Sequence, residues 1–276
     1  MNHSNVLLEG VAVICRQAGD AILEVYDQEE FGIQTKSDQS PLTAADLAAH
    51  NIILAGLADL APAIPVLSEE SDQIPFSTRK NWDQYFLVDP LDGTKEFINR
   101  NGEFTVNIAL IEDHVPILGV VFVPVQGVLY AGATTDSKTE AYIERNGSRR
   151  ALSARKMKKD SATIVASRRH GGDAMKACVD VLADRFELET ENIGSSLKFC
   201  LVAEGKADLY PRLAPTSEWD TAAAQAVVEA SGGKVVDSYF NPLRYNTKEN
   251  ILNPYFYAVA DPSFDWQAVL AAVPKS

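Results

Sequence analysis

The stretch LVDPLDGTKEF, residues 87–97, sets two aspartates three positions apart around a proline and ends in Gly-Thr, directly behind an apolar run. Phe86, Leu87 and Val88 read as a buried strand, which puts Asp89 at its carboxyl end, where sites of α/β proteins are usually built. Pro90 has no N–H to give a neighbouring strand and is expected to end the strand there. Gly93 permits the tight backbone that returns Asp92 to the side of Asp89. Two readings stay open on local sequence. Asp-Pro and Asp-Gly are ordinary turn formers; equally, two carboxylates this close repel unless a cation lies between them. Hard divalent ions such as Mg2+ take such oxygen ligands, with a peptide carbonyl such as that of Leu91 as a further donor.

Working outward, short β-like runs surround this stretch at 65–68, 85–89, 104–111, 117–124 and 127–133, with a hairpin turn at 123–127. AYIER runs as a strand into Asn146-Gly147, a pair suited to the positive φ of tight turns. Two helices precede these strands. Val11, Ile14, Ala18, Ile22 and Val25 recur at helical spacing within residues 6–26. After the polar break TKSDQSPLT, Thr43 and Asp46 make a capping-box-like start to a second helix, whose apolar face is Leu47, Ile53, Leu54 and Leu57, ending near Pro62. The first half is therefore read as α+β with an antiparallel-rich sheet.

The basic stretch LSARKMKKDSA, 152–162, is the expected boundary between an N-terminal metal-binding region, 1–155, and a C-terminal substrate-binding region, 156–276. Beyond it, strands at 162–167, 186–190, 207–211, 234–237 and 255–260 alternate with helices at 174–182, 197–204 and 220–230 and a last helix running to Ala272. That alternation is an α/β pattern.

At 276 residues the chain can bury a large core without staples. No apolar run approaches the roughly 20 residues of a membrane span. The opening MNHSNVLLEG has no basic segment ahead of an apolar one, so a cytoplasmic protein is expected. Cys15, Cys178 and Cys200 lack metal-ligand spacing and read as buried free thiols. A net charge of -13 argues against a nucleic-acid backbone binder, yet leaves room for a small anionic ligand held by a cation.

Other acids bear on the two readings of residues 89–92. Glu69 and Glu70 follow a further apolar run, as loop acids or as ligands, and Asp220 opens an alanine-rich helix, as an ordinary N-cap or first-turn acid or as a ligand. Together these acids form three motifs: EES at 69–71, DPLDGT at 89–94 and WDTAAA at 219–224, preceded by Lys36, Ser37, Thr43 and Asp46. In this order and spacing, over nearly the whole chain, the sequence resembles the Mg2+-dependent, lithium-sensitive phosphatases of the inositol monophosphatase superfamily. The resemblance implies a layered αβαβα sandwich and a phosphate-ester hydrolase using two or three Mg2+ ions. It implies metal binding by Glu69, Asp89, the carbonyl oxygen of Leu91, Asp92 and Asp220, and catalytic roles for Glu69, Thr94 and Asp46, the last two pairing to orient or activate a water. Locally, Asp46 also reads as a capping acid and Thr94 as a helix N-cap. The backbone amides of Gly93 and Thr94 are candidates to hold the phosphate. No CxxxxxR loop or DxDx[TV] signature is present, and the four histidines show no paired zinc spacing.

Within the superfamily, GSSLKFCLVAEGKADLYPR, 194–212, is most similar to the 3'(2'),5'-bisphosphate nucleotidases, in which this region receives the nucleoside and its second phosphate. Leu213 stands where inositol-specific enzymes place an acid. The substrate contacts this resemblance implies are Gly194, Ser195, Lys198, Tyr210, Arg212 and Ser167, beside Glu69, Leu91, Asp92, Gly93, Thr94 and Asp220. On local sequence, Lys198 also reads as a solvated helix residue, Arg212 as a surface cap, and Ser167 with Arg168 and Arg169 as a basic loop. The implied reaction is hydrolysis of 3'-phosphoadenosine 5'-phosphate to AMP and phosphate, in sulfate assimilation. The rivals are an inositol monophosphatase or broad sugar phosphatase and, from another class, a non-catalytic nucleotide-binding regulator. A monomer or homodimer is expected, with peripheral association with the cytoplasmic face of the inner membrane left open.

Overall fold

Every strand from Val66 to Ala151 joins one sheet in chain order. It is seen in a computed structural model that describes residues 3–28, 34–35, 41–72, 74–135, 138–166 and 172–275. Val66–Ser68 lies parallel to Gln84–Asp92; after that pair, Thr105–Glu112, Val115–Val123, Val128–Thr135, Lys138–Arg145 and Ser148–Ala151 form an antiparallel meander. Alternate residues of these strands face two cores, which is why they read as unbroken apolar runs. Phe86, Val88, Val106, Ile108, Leu110 and Val120 pack against the helices His3–Tyr26 and Ala44–Leu60. Tyr85, Leu87, Ala109, Ile111 and Val121 face the opposite way, onto the helices Leu197–Ala203 and Ala222–Ala230.

Those two helices are roofed by a second sheet ordered Glu187–Asn192, Ser161–Ala166, Leu209–Arg212, Phe256–Val259 and Lys234–Asp237, its first three strands parallel and its last two antiparallel to their neighbours. Val165, Tyr210, Val235, Phe256 and Ala258 face inward to the helix pair. Ile164, Leu209, Tyr257 and Val259 face outward to the helices Asp173–Ala183 and Trp266–Val269. The layers therefore run αβαβα, as the resemblance implies, and the middle core takes residues from both halves of the chain.

Several local expectations hold and some are corrected. Asn146 and Gly147, at φ of 50° and 72°, turn the chain into Ser148–Ala151, a polar edge strand that the apolar pattern did not reveal. All three cysteines are free and buried. Residues 124–126 form a 3-10 turn closed by Gly127 at φ 60°. The strand does not end at Pro90. It runs on to Asp92, because the proline falls in a bulge where no ladder N–H is required.

Candidate active site

The bulge decides where the aspartates point. Asp89 pairs with Asn107 and Asp92 with Thr105, so three steps on one strand match two on the other. In a regular strand an offset of three sends side chains to opposite faces. The extra residue reverses the alternation: Leu91 joins the helix-side core with Phe86 and Val88, and Asp92 comes round to the face of Asp89. Asp89 Oδ1 accepts a hydrogen bond from the Leu91 backbone N–H at 3.0 Å, which closes the bulge.

Two other elements bring acids to this face. Glu69 follows the parallel strand Val66–Ser68, and its N–H donates to the Val88 carbonyl at 3.1 Å, extending the pairing. Asp220 precedes the helix Ala222–Ala230, whose N-cap is Thr221 and not Asp220, and it accepts from the Ser217 N–H at 3.0 Å. That helix lies hard on the sheet at Gly119, where a Cβ would stand 2.1 Å from the Ala223 carbonyl oxygen; only glycine allows this approach. As a result, carboxylate oxygens of Glu69, Asp89 and Asp220 lie within 4.8 Å of one another.

Burial pushes the Asp89 carboxyl well above the usual range, and Glu69, Asp92, Asp220 and Asp46 push it further. Asp220 is raised by burial and then by Asp92 and Glu69. Asp92 is raised by burial, against which the Lys198 charge and the Ser196 hydroxyl, 2.9 Å from its Oδ2, work in the other direction. Elsewhere a buried acid is neutralised within the fold: Arg155 grips Asp208 with two hydrogen bonds of 2.7 and 2.5 Å. Asp89 has no such ion-pair partner among the described residues. An all-oxygen, acid-rich donor set in a low-dielectric pocket fits a hard divalent cation.

Beside this group, the Thr94 hydroxyl donates to Asp46 Oδ1 at 3.4 Å. Asp46 Oδ2 is held by the Thr43 N–H at 2.7 Å and the Thr43 hydroxyl at 2.6 Å, while Thr43 accepts from the Ala45 N–H. The capping box read from sequence is thus formed, and it fixes the carboxylate that faces Thr94. Thr94 is not an N-cap: the helix Thr94–Ile98 is preceded by Gly93 in the left-handed region, φ 96°.

The residues expected to meet the substrate are distributed unequally. The Gly194 N–H donates to Glu103 Oε2 and the Ser195 hydroxyl to the Glu103 carbonyl, both at 2.8 Å, which docks this loop on the segment following the Thr94 helix. Lys198 is not on a solvated face. It is 5% exposed, and its ammonium donates to the carbonyls of Ser195 at 2.7 Å and Ile193 at 3.2 Å; burial lowers its pKa to about 8. Tyr210 is buried against Phe199 and Phe256, and Arg212 donates to the Thr216 hydroxyl and the Pro215 carbonyl. Leu213 packs into the outer core. Ser167, Lys36 and Ser37 lie outside the described residues.

Sequence reasoning missed Ser196, which sits 2.9 Å from Asp92 Oδ2 and 3.1 Å from the Asp220 carbonyl, bridging two motifs. It also missed His50, whose Nδ1 lies 3.0 Å from the Ser68 hydroxyl, next to Glu69. His50 falls one helical turn after Asp46, a spacing that would have put it on the same face.

Acids from three separately packed elements, converging on the face of a bulged strand inside an αβαβα sandwich, define a metal-site phosphatase fold, and the chain belongs to the inositol monophosphatase family, whose profile matches residues 5–264. Members of this family are generally metal-dependent. Within it, the chain is 50% identical to the 3'(2'),5'-bisphosphate nucleotidase CysQ of Shigella flexneri over 251 residues, 91% of this chain and 98% of that protein. The 3'(2'),5'-bisphosphate nucleotidase CysQ of Escherichia coli K12 is 49% identical over the same shares. The crystal structure of CysQ from Bacteroides thetaiotaomicron superposes with a TM-score of 0.82 at 40% identity, covering 95% of this chain and 98% of that one. An inositol monophosphatase from Anabaena shares the fold, with a TM-score of 0.76 at 22% identity, covering 99% and 98%.

Proposed function

We propose that this protein is a 3'(2'),5'-bisphosphate nucleotidase that removes the 3'-phosphate of 3'-phosphoadenosine 5'-phosphate, giving AMP and phosphate. The observation that carries the reading is the meeting of carboxylate oxygens of Glu69, Asp89 and Asp220 within 4.8 Å, in a chain 50% identical to a relative named as a 3'(2'),5'-bisphosphate nucleotidase. Two or three Mg2+ ions would be held by Glu69, Asp89, the Leu91 carbonyl, Asp92 and Asp220. Bound there, the cations supply neutralisation of the phosphoryl oxygens, a lowered pKa for the attacking water and stabilisation of the leaving oxygen.

The chain's own groups do the rest. The Thr94 hydroxyl donates its hydrogen bond to Asp46, which turns a lone pair of its oxygen toward accepting a hydrogen bond from the attacking water. Asp46 cannot swing away, because Thr43 holds its other oxygen from two directions. The water oxygen bonds to phosphorus as its proton passes by way of Thr94 toward Asp46, the bond to the 3'-oxygen breaks, and that oxygen takes up a proton from a solvent water and leaves as a hydroxyl. Amides of Gly93 and Thr94 hold the phosphate, together with contacts from Glu69, Leu91, Asp92 and Asp220. Gly194, Ser195, Lys198, Tyr210, Arg212 and Ser167 form the nucleoside side, where Lys198 sets the Ser195 carbonyl and contributes positive charge.

On this reading residues 1–155 supply most of the metal site and 156–276 the substrate side, with Asp220 reaching across. The same reading places the protein in the cytoplasm as a monomer or homodimer. It would be lithium-sensitive, would serve sulfur metabolism and would have no nucleic-acid partner. No helix of the described residues is long and apolar enough to cross a membrane; peripheral contact with the inner membrane belongs to the proposal. The test is phosphate release with Mg2+ from 3'-phosphoadenosine 5'-phosphate, inositol 1-phosphate and fructose 1,6-bisphosphate. The bisphosphate nucleotide should be strongly preferred. Preference for either other ester would sink the assignment, and no release from any would point to the non-catalytic regulator.

A further inference from the structure

The turn carrying Asp220 is tied down by a buried polar group centred on Arg79, Asn246 and Glu218. Arg79 ends the short helix Phe76–Arg79 and is 4% exposed. Its guanidinium donates to Asn246 Oδ1 and to the carbonyls of Glu249 at 2.5 Å and Lys248 at 3.2 Å. Asn246, 1% exposed, returns its Nδ2 to the Arg79 carbonyl at 2.6 Å and gives its backbone N–H to Glu218 Oε2 at 2.8 Å.

Glu218, also 1% exposed, is fastened on every side. Its N–H donates to the Ile251 carbonyl at 2.9 Å, and its own carbonyl accepts from the Thr221 hydroxyl at 3.0 Å and from the N–H groups of Thr221 and Ala222 at 3.2 Å. Lys248 Nζ stands 3.9 Å from its Oε1. Asn253 closes the loop from the other end, donating to the Ser217 carbonyl at 2.9 Å. Residues 217 and 218 lead into the Trp219-Asp220 step and are held by Asn253 and the Ile251 carbonyl, and Thr221 and Ala222, which follow it, bond back to the Glu218 carbonyl, so both the entry to that turn and its exit into the helix are pinned.

Burying an arginine, an asparagine and a glutamate contributes little net stability compared with apolar packing of similar volume. What such a network supplies, once fully satisfied, is a single geometry. Asn246 sits at φ 53°, a left-handed conformation that asparagine tolerates better than most residues and in which its N–H addresses Glu218.

We infer that Arg79, Asn246 and Glu218 are positioning residues that hold the Asp220 carboxylate at the distance from Asp89 and Glu69 required to share a divalent cation. The inference rests on the reading of Asp220 as a metal ligand. The decisive variant is Asn246→Gly, which keeps the left-handed backbone and the N–H to Glu218 while deleting both side-chain bonds to Arg79.

Mn2+ binding to the full-length chain, followed by electron paramagnetic resonance of the free ion, is expected to weaken about tenfold, the lower end of the effect of loosening a ligand's support. The Mg2+ concentration for half-maximal activity should rise in parallel, with kcat restored at saturating Mg2+. Arg79→Lys, which keeps the charge but loses the fork, should behave likewise and serves if Asn246→Gly does not fold. Wild-type Mn2+ affinity in a folded variant of either kind overturns the brace. Asp220→Asn separates the two layers of the argument: loss of Mn2+ binding there with none in the brace variants refutes the brace alone, whereas wild-type binding in Asp220→Asn removes the ligand reading and the brace with it.

Discussion

Thr94 and Asp46, 48 residues apart, meet through a 3.4 Å hydrogen bond, and the capping box that starts the Ala44–Leu60 helix supplies the other half of the carboxylate's orientation. One acid thus ends a helix and aims a hydroxyl. Asp46→Asn should lower kcat about 10²-fold or more, as loss of a proton-accepting partner does, with a smaller change in substrate KM. Thr43→Ala leaves the carboxylate charged and removes the hydroxyl that holds its Oδ2, while the backbone N–H of residue 43 remains. It should cost about 1 kcal/mol in stability as a lost cap and lower kcat less than Asp46→Asn. Steady-state kinetics and urea melts on both variants make the comparison. Equal kcat losses in the two would separate aim from charge no further, and an unaltered kcat in Asp46→Asn would remove the residue from the reaction.

Asp89→Asn should reduce turnover by at least about 10²-fold, the scale of losing one preorganised electrostatic group. The same substitution should make the metal-free protein more stable. Burial and four neighbouring acids oppose the charged form of Asp89, while an asparagine oxygen can still accept the Leu91 N–H. In excess EDTA the variant is expected to melt about 2 °C or more above wild type, since each kcal/mol is worth roughly that much in a chain of this size. Added Mg2+ should raise the wild-type melting temperature and leave the variant nearly unmoved.

Gly119→Ala tests packing as a source of site geometry. The new methyl would fall 2.1 Å from the Ala223 carbonyl oxygen, so the helix must lift from the sheet. Overpacking of this kind costs about 1–3 kcal/mol. Because Asp220 sits just ahead of that helix, Mn2+ affinity should fall as well. A variant that loses stability with unchanged metal affinity would show that the turn, and not the helix, sets the position of Asp220.

His50 gives a pH dependence of known sign. Burial holds its pKa below the ordinary value. The unfolded chain therefore takes up a proton near pH 6.5, which the folded chain resists until lower pH. Stability from this residue is present above about pH 6.5 and is lost as pH falls toward the folded-state value. His50→Gln, which cannot titrate and can still reach Ser68, should show a smaller drop in melting temperature between pH 7.5 and pH 5.5 than wild type, roughly by the contribution of one shifted group. An equal drop in both would assign the acid sensitivity to other groups.

The sheets, the helix order and the acid motifs are legible in the sequence because each depends on residues within a few positions of one another. Apolar runs mark strands buried on both faces, Thr43 and Asp46 mark a helix start, and three short acid motifs mark the site. The features that escape such reading depend on count or on distance. Pro90 looks like a strand terminator, and only the pairing of Asp92 with Thr105 reveals it as a bulge. Lys198 carries nothing local to say that its ammonium is buried on two carbonyls, since lysine stems ordinarily reach water. Arg79 and Asn246 are 167 residues apart and share no periodicity that would pair them.

The extra residue at the bulge has a consequence for how this stretch can vary. Side-chain alternation is indifferent to which residue occupies a position and wholly sensitive to how many positions there are. A substitution at Pro90 or Leu91 leaves Asp89 and Asp92 on the same face, provided the bulge persists. Losing or gaining one residue between them sends one acid through the sheet into the hydrocarbon packed around Phe86 and Val88. The segment is fixed in length before it is fixed in spelling.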